Sequence, residues 1–118
     1  MKIETLNIKE GFPPADLAVA NMEIAIERFS KTKDTKILKV IHGYGSHGVG
    51  GEIKRNVKIK LTELKKQRKI DDFVCGEQFG ETVKSSYYIL ENFPELLIDA
   101  DLKNYNSGIT LVFLKNSK

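Results

Sequence analysis

The order of apolar and polar residues changes period several times along this chain. Ile3, Leu6 and Ile8 stand among Lys2, Glu4 and Asn7, which predicts a short first strand over residues 2–8. Gly11-Phe12-Pro13-Pro14 breaks it. Pro13 restricts its neighbour to extended geometry, and Pro14 suits the first turn of a helix. From Ala15 the period is helical. Val19, Met22, Ile26 and Phe29 fall at i, i+3, i+7 and i+10, and Leu17, Ala18, Ile24 and Ala25 widen the stripe. A stripe of this kind is core packing. Asp16 near the start and Lys31 and Lys33 near the end suit the helix macrodipole.

Lys36-Ile37-Leu38-Lys39-Val40-Ile41-His42 is a compact apolar run rich in β-branched residues, which predicts a buried strand. Residues 43–51 hold glycine at 43, 45, 48, 50 and 51, a composition that predicts loop rather than helix. A second helix is expected from Glu52 to about Lys69, with Ile53, Val57, Leu61 and Leu64 on its inner face. Asp72-Phe73-Val74-Cys75 reads as a third strand that ends at Gly76. Thr82 to about Phe93 reads as a short extra helix closed by Pro94. Asn106-Ser107-Gly108 is turn chemistry, and residues 109–114 form the last strand.

The predicted fold is a single α/β domain over residues 1–118. It is a two-layer sandwich in which two main helices pack on a mixed four-stranded sheet in the order β-α-β-α-β-β. A length of 118 residues leaves no room for a second domain. One cysteine, Cys75, excludes an internal disulfide framework and a multi-cysteine zinc site. No apolar run is long enough to span a membrane, and the first residues lack the pattern of a secretory signal, so a cytoplasmic location is expected.

The net charge of +3 hides a strong asymmetry. Residues 52–69 carry eight basic residues against two acidic ones, while residues 70–118 carry four against eight. The basic helix follows directly on the glycine-rich segment. Converging backbone N–H groups and a helix start both favour an anion, and Lys54 and Arg55 lie within reach of one held there. Gly43-Tyr44-Gly45-Ser46-His47-Gly48 matches the dinucleotide pattern G-x-G-x-x-G in form, but the acidic residue expected at the end of the next strand is missing. The absence of G-K-[ST] excludes the phosphate loop of nucleoside triphosphatases. His42, at the mouth of the loop, can act as a phosphate donor or as a general acid or base. Its structural alternative is to fix the loop by hydrogen bonds to glycine carbonyls. His42 and His47 have no metal-ligand spacing and no carboxylate cluster beside them, so neither a metal nor another cofactor is expected.

Ile41-His42-Gly43-Tyr44-Gly45, with its further glycines and basic helix, resembles the His-Gly-x-Gly motif of the Smr (small MutS-related) domain. Leu6-Asn7-Ile8-Lys9-Glu10-Gly11 occupies the place of that family's early Leu-Asp-Leu-His-Gly motif. Gly108-Ile109-Thr110-Leu111-Val112 resembles its terminal Gly-x-Thr-x-Val strand. The resemblance covers roughly residues 5–114 and is to the long, stand-alone bacterial form, with residues 76–107 as an insertion relative to the shortest members. It implies a fold like the C-terminal domain of translation initiation factor three, and it implies nucleic-acid binding. In several members it also implies DNA nicking or RNA cleavage without an obvious metal site. The family's first-motif aspartate is Asn7 here, and Lys9 stands at or near the histidine tied to cleavage.

The leading expectation is therefore a domain that binds nucleic acid. Gly43, Gly45, His47, Gly48, Gly50 and Gly51 would cradle a backbone phosphate beside His42. Lys54, Arg55 and Lys58 would add contacts, and Lys9 would join them if the first two strands are neighbours. One alternative is a metal-independent endonuclease, with His42 as the general acid or base. Another is a protein-interaction domain, ribosome-associated, that uses the acidic C-terminal part.

Overall fold

The computed structural model describes residues 2–11, 13–32, 34–43, 48–76 and 107–115. Six elements follow in chain order: β1 (Lys2–Asn7), α1 (Ala15–Ser30), β2 (Thr35–Ile41), α2 (Gly48–Lys66), β3 (Ile70–Cys75) and β4 (Ile109–Leu114). The four strands form one mixed sheet in the order β1-β2-β4-β3. β1 and β2 run parallel, and β4 lies antiparallel to both β2 and β3. The α/β class and the mixed four-stranded sheet are as the sequence predicts. The extra helix expected at residues 82–93 lies outside the described residues.

Side chains alternate across the sheet, so each strand contributes to two cores. Leu38 and Val40 of β2 and Val112 and Leu114 of β4 meet Met22, Ile26, Ile53, Val57 and Leu61 of the two helices. Ile37, Val74, Ile109, Leu111 and Phe113 form a separate buried cluster built from strand residues. Both main helices therefore lie against one sheet face.

The helical period correctly assigns the inner faces, but two residues of the widened α1 stripe point outward. Leu17 is 51% exposed and Ile24 is 64% exposed. Each lies two positions from a core residue, Val19 or Met22, which is about 200° round the helix. Their hydrophobicity does not alter that angle.

α2 corrects two boundaries. It begins at Gly48, so Gly48, Gly50 and Gly51 belong to its first turn and not to a loop. The first four N–H groups of a helix have no partner within it, and glycine is tolerated there better than in the interior. At the other end, α2 stops at Lys66 and not near Lys69. Lys69 N–H donates to the Leu64 carbonyl at 2.9 Å, and Arg68 N–H donates to that of Lys65 at 3.1 Å. This is a Schellman turn, with Arg68 in the left-handed region at φ 60°. The chain reverses there and enters β3 at Ile70, two residues before the strand expected from Asp72.

Candidate functional site

The carboxyl ends of the parallel strands β1 and β2 lie side by side, with Asn7 opposite Ile41. In open α/β sheets this end is where loops gather to bind ligands. After β1 the chain turns at once. The Asn7 side-chain oxygen accepts from the N–H groups of Lys9 at 3.0 Å and Glu10 at 3.1 Å. Such an Asx turn needs a short acceptor side chain at that position. Gly11 follows with φ +80°, a value that disfavours residues with a Cβ.

The turn brings Lys9 over the end of β2. Gly43 has φ +85°, and a Cβ placed on it would sit 3.2 Å from Lys9 Cδ. The methylene chain of Lys9 therefore packs on the bare Cα of Gly43, and both the backbone conformation and the close contact favour glycine. Lys9 itself is exposed.

His42 lies beneath this contact and is only 1% exposed. Its Nδ1 donates to the Gly43 carbonyl at 2.9 Å. That oxygen can only accept, so in the neutral ring the proton sits on Nδ1. Nε2 then accepts from the Thr110 hydroxyl at 2.8 Å. Thr110 is also buried, at 3% exposure. The Gly108 carbonyl receives two further donors, the N–H groups of His42 at 2.9 Å and Gly43 at 3.1 Å. Residues 42 and 43 are thus tied by two backbone hydrogen bonds to Gly108, just before β4, and by one through the imidazole to Thr110 within it.

This arrangement matches the structural role considered for His42, a histidine bonded to a glycine carbonyl. It gives the ring no open nitrogen edge, since both nitrogens are engaged. Sequence reasoning missed Thr110 as the partner and Asn7 as the organiser of the Lys9 turn. A threonine in the otherwise apolar run of β4 was the available signal for the first. An asparagine at the end of a strand was the signal for the second.

Of the other predicted residues, Gly45 and His47 lie outside the described residues. The first turn of α2, with Gly48, Gly50 and Gly51, begins five positions after Gly43 and contains no acidic side chain. The positive end of its macrodipole is thus not offset by a carboxylate of that turn, and Glu52 follows directly after it. Lys54 is half-buried, while Arg55 and Lys58 are exposed. Among the described residues no group of three or more His, Cys, Asp or Glu side chains is placed to hold a metal ion. None of the described helices is long and apolar enough to cross a membrane.

A cavity of about 410 Å³ opens elsewhere, lined by Glu23, Ile26, Ser30, Lys31 and Lys115 among others. Lys31 pairs with Glu27 at 3.6 Å and Lys115 with Asp71 at 3.0 Å, and none of the predicted site residues borders it. Comparison of the chain with protein-family models, with curated proteins and with solved structures gives no match.

Proposed function

We propose that this chain is an Smr-like domain that binds nucleic acid through its sugar–phosphate backbone. The observation that carries the reading is the packing of Lys9 over Gly43, at the carboxyl ends of two adjacent parallel strands. Lys9 brings a cation to the mouth of the glycine-rich segment, where the family motif resembled by residues 6–11 has a histidine. The first turn of α2 adds N–H groups that have no partner within the helix, together with positive potential, and holds no acidic side chain. Arg55 and Lys58 extend that potential along the helix. Contacts of this kind bind phosphate at any sequence and weaken as salt rises.

The reading is binding rather than cleavage. A general acid or base must come within hydrogen-bond reach of the proton that it moves. His42 is buried, and its two nitrogens are engaged by Gly43 and Thr110. It therefore acts as a positioning residue for the loop in this reading.

Electrophoretic shift of single-stranded and duplex RNA and DNA, at low and high salt, tests the proposal. A shift at low salt that weakens as salt rises is expected. Lys9→Ala should lower affinity several-fold and reduce the slope of log K against log salt by roughly one phosphate contact, while Lys9→Arg should keep both. Absence of any shift at low salt overturns the reading, and cleavage lost in His42→Ala would make the chain a nuclease instead.

A further inference from the structure

We propose that the exposed ridge of α2 is a track for a run of consecutive nucleic-acid phosphates, leading away from the site around Gly43 toward the end of the helix. The inference rests on the reading that the ligand is nucleic acid, and it adds the ligand's length and path.

Arg55, Lys58, Thr62 and Lys66 follow one another at i, i+3, i+7 and i+11, so they share one helix face. All four are exposed. Lys65 borders this face on the side toward β3 and lies 2.9 Å from Asp72. Lys60 lies farther round the helix, toward α1, 3.6 Å from Glu23 and 3.8 Å from Glu63. Among the described residues, Arg55, Lys58 and Lys66 make no ion pair. The fold thus engages Lys60 and Lys65 with carboxylates and leaves Arg55, Lys58 and Lys66 as the cations of the crest, with the neutral Thr62 between them. Arg55 and Lys58 are like charges three residues apart and repel slightly, so their pairing brings the isolated helix no stability.

The dimensions suit a polymer better than a single phosphate. Arg55 to Lys66 covers about 16 Å of helix axis at roughly 1.5 Å per residue. Phosphates on one strand of a duplex recur about every 3.4 Å along its axis, so the crest faces roughly five of them. The exposed Ile59 lies beside Thr62 and does not make the apolar face that an interfacial membrane helix needs. The crest also starts within two turns of the glycines at the head of α2, which makes it continuous with the proposed phosphate site.

The test uses the full chain and fluorescence anisotropy with a labelled trinucleotide and with labelled twelve-residue oligonucleotides, single-stranded and duplex. Wild type should bind the longer oligonucleotides more tightly than the trinucleotide. Thr62→Glu/Lys66→Glu places acid on the distal crest and leaves Lys9 and Gly43 untouched. It should weaken binding of the twelve-residue oligonucleotides by roughly tenfold and flatten their salt slope by about one contact. Its trinucleotide affinity should match that of wild type. Circular dichroism checks that the variant folds, and Lys66→Gln alone should give a smaller loss in the same direction. Whichever strand form shows this pattern identifies the ligand.

Unchanged affinity of the double variant for the longer oligonucleotides overturns the track while leaving the loop site standing. Equal affinity of wild type for trinucleotide and longer oligonucleotide does the same. If wild type binds neither length, the nucleic-acid reading fails and the track fails with it. Equally strong retention on phosphatidylserine vesicles at the same salt would assign the crest to anionic surfaces in general and overturn its role as a nucleic-acid track.

Discussion

His42 Nε2 meets the Thr110 hydroxyl at 2.8 Å across a separation of 68 residues, and both side chains are buried. This bond ties the mouth of the glycine-rich segment to the strand beside it. Thr110→Val keeps the shape and removes the donor, which leaves a buried imidazole nitrogen without its partner. The expected cost is about 1–3 kcal/mol of stability. Thr110→Ser should recover most of it. Urea unfolding of the three proteins checks this, and a valine variant as stable as wild type would show that the bond contributes nothing.

Gly43→Ala should be harmful for two reasons at once. Its φ of +85° disfavours any Cβ, and that Cβ would press within 3.2 Å of Lys9 Cδ. Left-handed backbone costs a non-glycine residue about 1–2 kcal/mol. The Lys9 chain can yield, so a comparable loss of stability is expected together with a displaced ammonium group. Thermal unfolding measures the first effect and phosphate-backbone affinity the second.

The turn after β1 offers a cleaner separation of roles. Asn7→Ala removes the acceptor for the N–H groups of Lys9 and Glu10, both exposed, at a cost of roughly 0.5–1.5 kcal/mol. Asn7→Asp retains an acceptor at that position. It should preserve stability within about 0.5 kcal/mol. Denaturant midpoints of the two variants, compared with wild type, decide whether Asn7 works through its side-chain oxygen.

Arg68→Gly should stabilise the protein. Arg68 occupies the left-handed position of the Schellman turn at φ 60°, where glycine is the preferred residue. Relief of the side-chain penalty is partly offset by the greater freedom of glycine in the unfolded chain. A net gain of up to about 1 kcal/mol is expected, seen as a rise in Tm. A fall in Tm would mean that Arg68 makes a compensating contact.

The parts of the fold that depend on period and local composition were legible in the sequence. Val19, Met22 and Ile26 on α1 and Ile53, Val57, Leu61 and Leu64 on α2 are buried as their spacing predicts. Counting hydrophobic residues without their angle assigned Leu17 and Ile24 to the core, and the helix turns them outward. Glycine content made residues 48–51 read as loop, because propensity scales describe helix interiors and not the first turn. The candidate site was legible only in outline. His42 and Gly43 stand out in the chain, but the bonds that define their surroundings reach Gly108 and Thr110. Nothing local to residues 42 and 43 encodes a partner that far along the chain. The adjacency of Lys9 and Gly43 needed the parallel pairing of β1 with β2, which the order of elements suggests and the sheet register shows.

The central place of β4 has a consequence for synthesis. It is made after the other three strands, yet it sits between β2 and β3. Without it, β1 and β2 still pair with each other, while β3 has no partner strand in the sheet. His42 and Gly43 meanwhile lack the Gly108 carbonyl that fixes them. The conformation of residues 42 and 43 is therefore completed only by the last strand of the sheet to be made.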